Sequence, residues 1–67
     1  MEQVHELQRL REERGMSAYE LAKRADIGIA YVRRLERCMQ NNPTIKVLWK
    51  LSEALDVDII VLANIFK

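Results

Sequence analysis

The chain has 67 residues and a formal net charge of +1, with 49% hydrophobic and 31% charged residues, as expected for one small globular domain over residues 1–67. Two glycines and one proline are too few for a many-stranded sandwich or barrel, and a single cysteine excludes an internal disulfide. No apolar run approaches the roughly 18 residues of a membrane span, and the N-terminus lacks a signal-peptide pattern. We therefore expect a soluble, cytoplasmic, all-α module.

The charges are unevenly distributed along the chain. Residues 23–50 carry seven basic side chains against two acidic ones, whereas residues 1–22 and 51–67 each have a net charge of −2. A basic middle between acidic ends indicates a central segment that meets a polyanion. Solvated helix faces are the commoner explanation of charge runs, so this pattern alone does not decide between the two.

The first two predicted helices have clear boundaries. Apolar residues at helical spacing and a terminal glycine define the first helix: Val4, Leu7, Leu10 and Gly15. A capping box and a hydrophobic staple mark the start of the second helix: Ser17 with Glu20, and Met16 with Leu21. Leu21, Ala22 and Ala25 give this second helix a thin apolar face, which permits the close approach of another helix.

A third helix is predicted to resume near Gly28, after a break at residues 26–28. Val32 and Leu35 fall on its inward face, and arginines fall on or near its outer face: Arg33, Arg34 and Arg37. Residues 38–43 lack periodicity and indicate a loop.

A fourth helix begins either at Thr44 as its cap or at Asn42 with Pro43 in the first turn. Its predicted buried stripe consists of Ile45, Leu48, Leu51, Ala54 and Leu55. Asp58 can cap a short fifth helix over residues 59–66. That tail is β-branched, but a lone strand would have no partner to pair with, so we expect a helix.

Two helices joined by about three residues, the second of them basic, are the plan of a helix-turn-helix, placed here at about residues 17–37. The chain resembles the Cro and phage-repressor type of helix-turn-helix, the XRE family, over residues 4–62. The segments that carry the resemblance are LREERGMS at 10–17, ELA at 20–22, Ile27, YVRRLER at 31–37, NPT at 42–44 and LSEALDV at 51–57. The resemblance implies a compact five-helix bundle of the lambda-repressor-like DNA-binding type.

The resemblance also implies a DNA-facing set of residues: Gly28, Ile29, Ala30, Tyr31, Arg33 and Arg34. Arg33 or Arg34 would bind guanine O6 and N7, and Ile29 or Ala30 would pack on a thymine methyl. Tyr31 would contact a phosphate or a base, or else pack on the second helix. Ser17 would lie near a phosphate at the start of the second helix. Three residues would brace the DNA backbone beyond the third helix: Arg37, Gln40 and Asn41.

Arg11 and Glu36 match a pair that in this family forms a buried ion bridge between the first and third helices. Such a bridge would fix how the third helix sits on the scaffold. The alternative is two exposed surface charges of almost no energetic consequence.

The chain departs from the family pattern at several places. Ala18 replaces a frequent glutamine, which removes one expected phosphate contact. Asp26 stands where glycine is usual, so a left-handed turn there carries a modest penalty. Residues 28–30 replace polar residues that commonly begin the third helix, and Cys38 replaces a glycine in a loop one residue longer. Base discrimination would then depend on two arginines, or on DNA shape.

Other chemistries find little support. His5 and Cys38 could supply one nitrogen and one sulfur ligand, whereas a zinc site needs about four ligands. We therefore expect no bound metal, no cofactor and no enzymatic activity. We expect a DNA-binding transcriptional regulator, acting as a repressor by occupying its operator and using no small-molecule ligand.

The apolar tail has two interpretations. We expect a homodimer formed through Ile60, Val61, Ile65 and Phe66. The alternative function is a protein-interaction module, antitoxin-like or adaptor, that uses this tail and binds little DNA.

Overall fold

A computed structural model of the chain describes residues 5–37 and 43–66 and shows five helices there. They are α1 (Glu6–Glu13), α2 (Ala18–Ala25), α3 (Ile29–Arg37), α4 (Ile45–Leu55) and α5 (Ile59–Ile65). The all-α prediction is confirmed, including a helix rather than a strand over the apolar tail. None of these helices is long and apolar enough to cross a membrane.

The turn between α1 and α2 follows the local sequence signals. Gly15 has a φ of +73°, and the amides of Gly15 and Met16 donate to the carbonyls of Glu12 and Arg11 at 3.0 and 3.2 Å. This is the Schellman arrangement, which satisfies carbonyls at the end of a helix. The predicted capping box is also present: the amide of Glu20 donates to Ser17 Oγ, and the amide of Ser17 donates to Glu20 Oε1.

Two aspartates close helices with a left-handed backbone. Asp26 ends α2 and Asp56 ends α4, both with a φ of +57°. The following amides, of Ile27 and Val57, reach back to the carbonyls of Ala22 and Ser52 at 3.0 Å. The strained turn expected at Asp26 is therefore present, and the one at Asp56 was not predicted.

Side chains cap the starts of three further helices. Thr44 caps α4, since its hydroxyl accepts from the amide of Val47 at 3.3 Å, which decides between the two predicted starts. Asp58 caps α5 by accepting from Ile60 at 3.0 Å. His5 Nδ1 accepts from the amide of Leu7 at 3.0 Å and caps α1, a role that the sequence analysis missed.

Every helix contributes to one leucine-rich core. The most buried side chains are Leu7, Leu21, Val32, Leu35, Leu51, Leu55 and Leu62. α2 packs against both α3 and α4, α1 packs against α3 and α5, and α4 packs against α5. Ala22 is buried in α2, as a close helix crossing requires.

The predicted stripe of α4 is wrong at Ile45, which is 66% exposed. Successive residues turn by about 100° around a helix, so Ile45 and Trp49 lie to one side of the line through Leu48, Leu51 and Leu55. The latter three residues face the core, whereas Ile45 and Trp49 face solvent. Ser52 is buried instead, and its hydroxyl donates to the carbonyl of Trp49 at 2.8 Å.

Candidate nucleic-acid interface

α3 has one face in the core and one in solvent. Val32 and Leu35 are fully buried, and Tyr31 is half-buried and packs against the core. The opposite face is a shallow groove lined by Ala30, Arg33, Arg34 and Arg37. The small side chain of Ala30 lies among the three arginines, so the helix backbone is open to a close approach there.

The outer face of α3 is positively charged because the single carboxylate of this helix is engaged elsewhere. Glu36 binds Arg11 through two hydrogen bonds, Nε to Oε2 at 2.8 Å and Nη2 to Oε1 at 3.1 Å. Within residues 5–37 and 43–66, no carboxylate forms an ion pair with Arg33, Arg34 or Arg37. Three guanidinium groups are therefore left to interact with an outside anion.

The Arg11–Glu36 pair is largely buried, since the two side chains are 11% and 7% exposed. A third bond runs from Arg11 Nη1 to the carbonyl of Met16 at 2.9 Å. The hydrogen bond to Glu36 raises the pKa of Arg11 above its ordinary value, against the lowering effect of burial. This pair links α1, the turn before α2, and α3, so it fixes the position of the arginine face.

The start of α3 exposes the backbone. The carbonyl of Gly28 accepts from the amides of Tyr31 and Val32 at 3.1 Å, and a Cβ at Gly28 would meet nothing within 4 Å. Ile29 lies at the edge of the outer face and is 36% exposed. Together with Ala30, these residues present small and apolar groups, the chemistry that contacts thymine methyl groups.

Ser17 lies at the exposed start of α2, where its oxygen accepts from Glu20 and its hydroxyl proton remains available as a donor. A second, smaller cleft joins this helix start to the arginines. It is lined by Gln8, Arg11, Ala18, Arg33, Glu36 and Arg37. Gln8 was not predicted; the signal for it was its spacing of three residues from Arg11 on α1. Ala18 is the position at which the sequence analysis expected a phosphate contact to be lost.

The other predicted residues are not among those that line this surface in the described part of the chain. Gln40 and Asn41, predicted to brace the DNA backbone, lie outside the described residues. On α5, Ile60 and Val61 are 64% and 43% exposed, whereas Ile65 and Phe66 are half-buried and pack against the chain's own core. In the described ranges, no three His, Cys, Asp or Glu side chains gather as a metal site would require.

Comparison with known proteins decides the family. The family model described as Helix-turn-helix matches residues 7–62. The chain belongs to this helix-turn-helix family, as its resemblance to the XRE type predicted. Within it, the chain is similar to the HTH-type transcriptional regulator SinR of Bacillus licheniformis, with 40% identity over 58 residues, or 87% of this chain and 52% of the relative.

SinR of Bacillus subtilis strain 168 is 40% identical over 53 residues, which cover 79% of this chain and 48% of that protein. The chain thus spans about half the length of the curated helix-turn-helix relatives it matches. Both relatives are named as transcriptional regulators, which agrees with the expectation of a binding module rather than an enzyme.

Solved helix-turn-helix structures show the same fold. SinR, described as the master regulator for biofilm formation and solved in complex with DNA, has a TM-score of 0.82 at 37% identity, covering 88% of this chain and 94% of that one. The N-terminal DNA-binding domain of SinR from Bacillus subtilis has a TM-score of 0.78 at 38% identity, covering 87% and 84% of the two chains. The predicted helix-turn-helix fold is confirmed.

Proposed function

We propose that this chain binds double-stranded DNA as the reading domain of a transcriptional regulator, with α3 in the major groove. The observation that carries the proposal is the outer face of α3, where Arg33, Arg34 and Arg37 surround Ala30 and no carboxylate of the helix opposes them. Two arginines at the centre of such a face can bind guanine bidentately, and a third can bind phosphate. The SinR structure with DNA supports this function, because its fold matches over most of both chains.

The remaining predicted contacts have supporting roles. Ser17 and the start of α2 would bind a phosphate, and Gly28, Ile29 and Tyr31 would border the bases. Gln40 and Asn41 stay in the proposal as backbone contacts. We also propose that the chain represses transcription by occupying an operator. Bacterial DNA lies in the cytoplasm, so DNA binding would place the chain in the cytoplasm of a bacterium, as in the Bacillus species of its relatives.

The proposed assembly is a homodimer through α5. Ile60 and Val61 are exposed, and a groove between α1 and α5 is lined by Leu10, Val61 and Ile65, with Glu6, Arg9 and Glu13 around it. A rim with both charge signs suits a two-fold interface, since Arg9 of one copy can face Glu13 of the other. Two copies of α3 about 34–36 Å apart would then meet successive turns of the major groove.

The DNA proposal is tested by fluorescence anisotropy with labelled duplex DNA at several salt concentrations. The variant Arg33→Ala/Arg34→Ala removes two charges from the outer face of α3. The matched control, Lys23→Ala/Arg24→Ala, removes two exposed charges from the end of α2. We expect the α3 variant to lose about 10-fold or more in affinity and to flatten the salt dependence, because fewer phosphate counterions are released.

The control should retain most of the affinity. Equal losses in the two double variants would show that net charge alone drives the binding. Absence of wild-type binding at low salt, with the fold intact by circular dichroism, would refute the proposal and favour the alternative interaction module.

A further inference from the structure

A second groove, with the opposite charge, lies between the end of α4 and the start of α5. We call it the acidic groove. It is lined by Ser52, three apolar residues and three acidic residues: Trp49, Val57 and Ile59, with Glu53, Asp56 and Asp58. It lies on different helices from the arginine face of α3, which is lined by other residues.

The apolar part of the acidic groove is open to solvent. Trp49 is 54% exposed, and Ile45, one turn earlier on the same side of α4, is 66% exposed. A large aromatic side chain that is exposed next to another apolar residue is the kind of group that anchors protein interfaces. Ile59, which also lines the groove, is half-buried and packs against the core, so its position is set by the core packing.

The charged part of the acidic groove selects the kind of partner. Glu53, Asp56 and Asp58 are all exposed, and within residues 5–37 and 43–66 none of them forms an ion pair. Among the described residues, no basic side chain lines the groove; Lys50, which follows Trp49 in α4, is half-buried and is not among the lining residues. Three unneutralised carboxylates repel DNA phosphates and attract lysine or arginine, and the face of Trp49 also attracts cations.

We propose that the acidic groove binds a basic peptide segment of another protein, with an apolar side chain of that segment packed on Trp49. Its lysines or arginines pair with Glu53, Asp56 and Asp58. The chain would then contact two partners of opposite charge at once, a polyanion on α3 and a polycation at the junction of α4 and α5. The two surfaces share no lining residue.

The test uses a fluorescein-labelled amphipathic peptide built of leucine and arginine, with the same peptide carrying glutamate in place of arginine as the control ligand. Trp49 is the only tryptophan of the chain, so its emission reports directly on the acidic groove. We expect the basic peptide to gain anisotropy on binding and to change the emission of Trp49 over the same concentration range. The acidic peptide should do neither.

The test variant is Glu53→Gln/Asp56→Asn/Asp58→Asn. We expect it to keep the fold, because asparagine tolerates the left-handed backbone of residue 56 and caps a helix as well as aspartate does. The matched control, Glu12→Gln/Glu20→Gln/Asp26→Asn, removes three exposed charges that lie outside the acidic groove and outside the proposed dimer interface. Glutamine keeps the capping box at residue 20, and asparagine tolerates the left-handed backbone of residue 26. We expect the groove variant to weaken peptide binding about 10-fold, and the control variant less than about twofold.

Several results would overturn the proposal. Equal weakening by both triple variants would mean non-specific attraction to negative charge, and unchanged Trp49 emission would place the peptide elsewhere. A change in Trp49 emission with protein concentration alone would show that a second copy occupies the groove. Arg33→Ala/Arg34→Ala should bind the peptide like the wild type, so failure of the DNA proposal and failure of this one are distinguishable.

Discussion

Asp26 shows how one residue can hold a helix end and carry strain at the same time. It ends α2 in the left-handed region, with a φ of +57°, where a Cβ group is sterically disfavoured. Glycine adopts this conformation without that penalty, and glycine is the usual residue here in the XRE type. The turn orients α3 relative to α2, so the strain lies at the centre of the helix-turn-helix.

We predict that Asp26→Gly raises the free energy of unfolding by about 0.5–1 kcal/mol, because removal of the Cβ strain exceeds the entropy cost of glycine. Urea unfolding followed by circular dichroism measures the change. Asp58→Ala is the contrasting variant: Asp58 has an ordinary backbone and caps α5, so its loss should cost about 1 kcal/mol. A destabilised Asp26→Gly variant would mean that the aspartate side chain itself stabilises the turn.

At the scale of elements, the Arg11–Glu36 pair determines where α3 sits. The contact spans 25 residues of sequence and joins α1 to α3 by two hydrogen bonds, and a third bond holds the carbonyl of Met16 before α2. Hydrophobic packing of Val32 and Leu35 fixes α3 against the core, but packing alone is weakly directional. The charged pair adds a directional contact, which supports a defined orientation of the arginine face.

Arg11→Ala should therefore lower the free energy of unfolding by about 3–5 kcal/mol, because it leaves the largely buried Glu36 carboxylate unpaired. Calorimetry or urea unfolding gives the value. The double variant Arg11→Met/Glu36→Leu should recover most of this loss, since it removes both charges. A loss below about 1 kcal/mol for Arg11→Ala would mean that the pair acts as an ordinary surface ion pair.

At the scale of the whole molecule, the exposed groups divide into surfaces of different character. The outer face of α3 is basic, the junction of α4 and α5 is acidic with an exposed tryptophan, and α5 presents exposed aliphatic side chains beside α1. A small domain of about 60 residues buries too little of its surface to hide every apolar side chain. In the proposed dimer, a second copy would cover Ile60 and Val61, which a single chain leaves exposed.

The dimer leads to a prediction about Ile60. Replacing it by serine should shift wild-type dimers toward monomers in sedimentation equilibrium and reduce the affinity for DNA with two half-sites more than for one half-site. Ile45→Ser is the matched control, because Ile45 is 66% exposed and Ile60 is 64% exposed. A wild-type chain that stays monomeric at high concentration, with and without two-site DNA, would exclude a dimer through α5.

The helices, most of their ends and most of the core could be predicted from the amino-acid sequence, because these features depend on local chemistry. The capping box at Ser17, the glycine stop at Gly15 and the cap at Asp58 all act within a few residues, and apolar spacing selects the buried side of each helix. The basic side of α3 was readable for the same reason.

Contacts between separate helices, by contrast, became visible in the folded chain and not in the sequence pattern. Helical spacing puts Ile45 at the edge of the apolar side of α4, and the position of α4 against its neighbours leaves Ile45 and Trp49 in solvent. The acidic groove likewise exists only because α5 folds back on α4 and brings Asp58 and Ile59 beside Trp49. Contacts of this kind depend on where whole helices pack, and no short-range pattern encodes that placement.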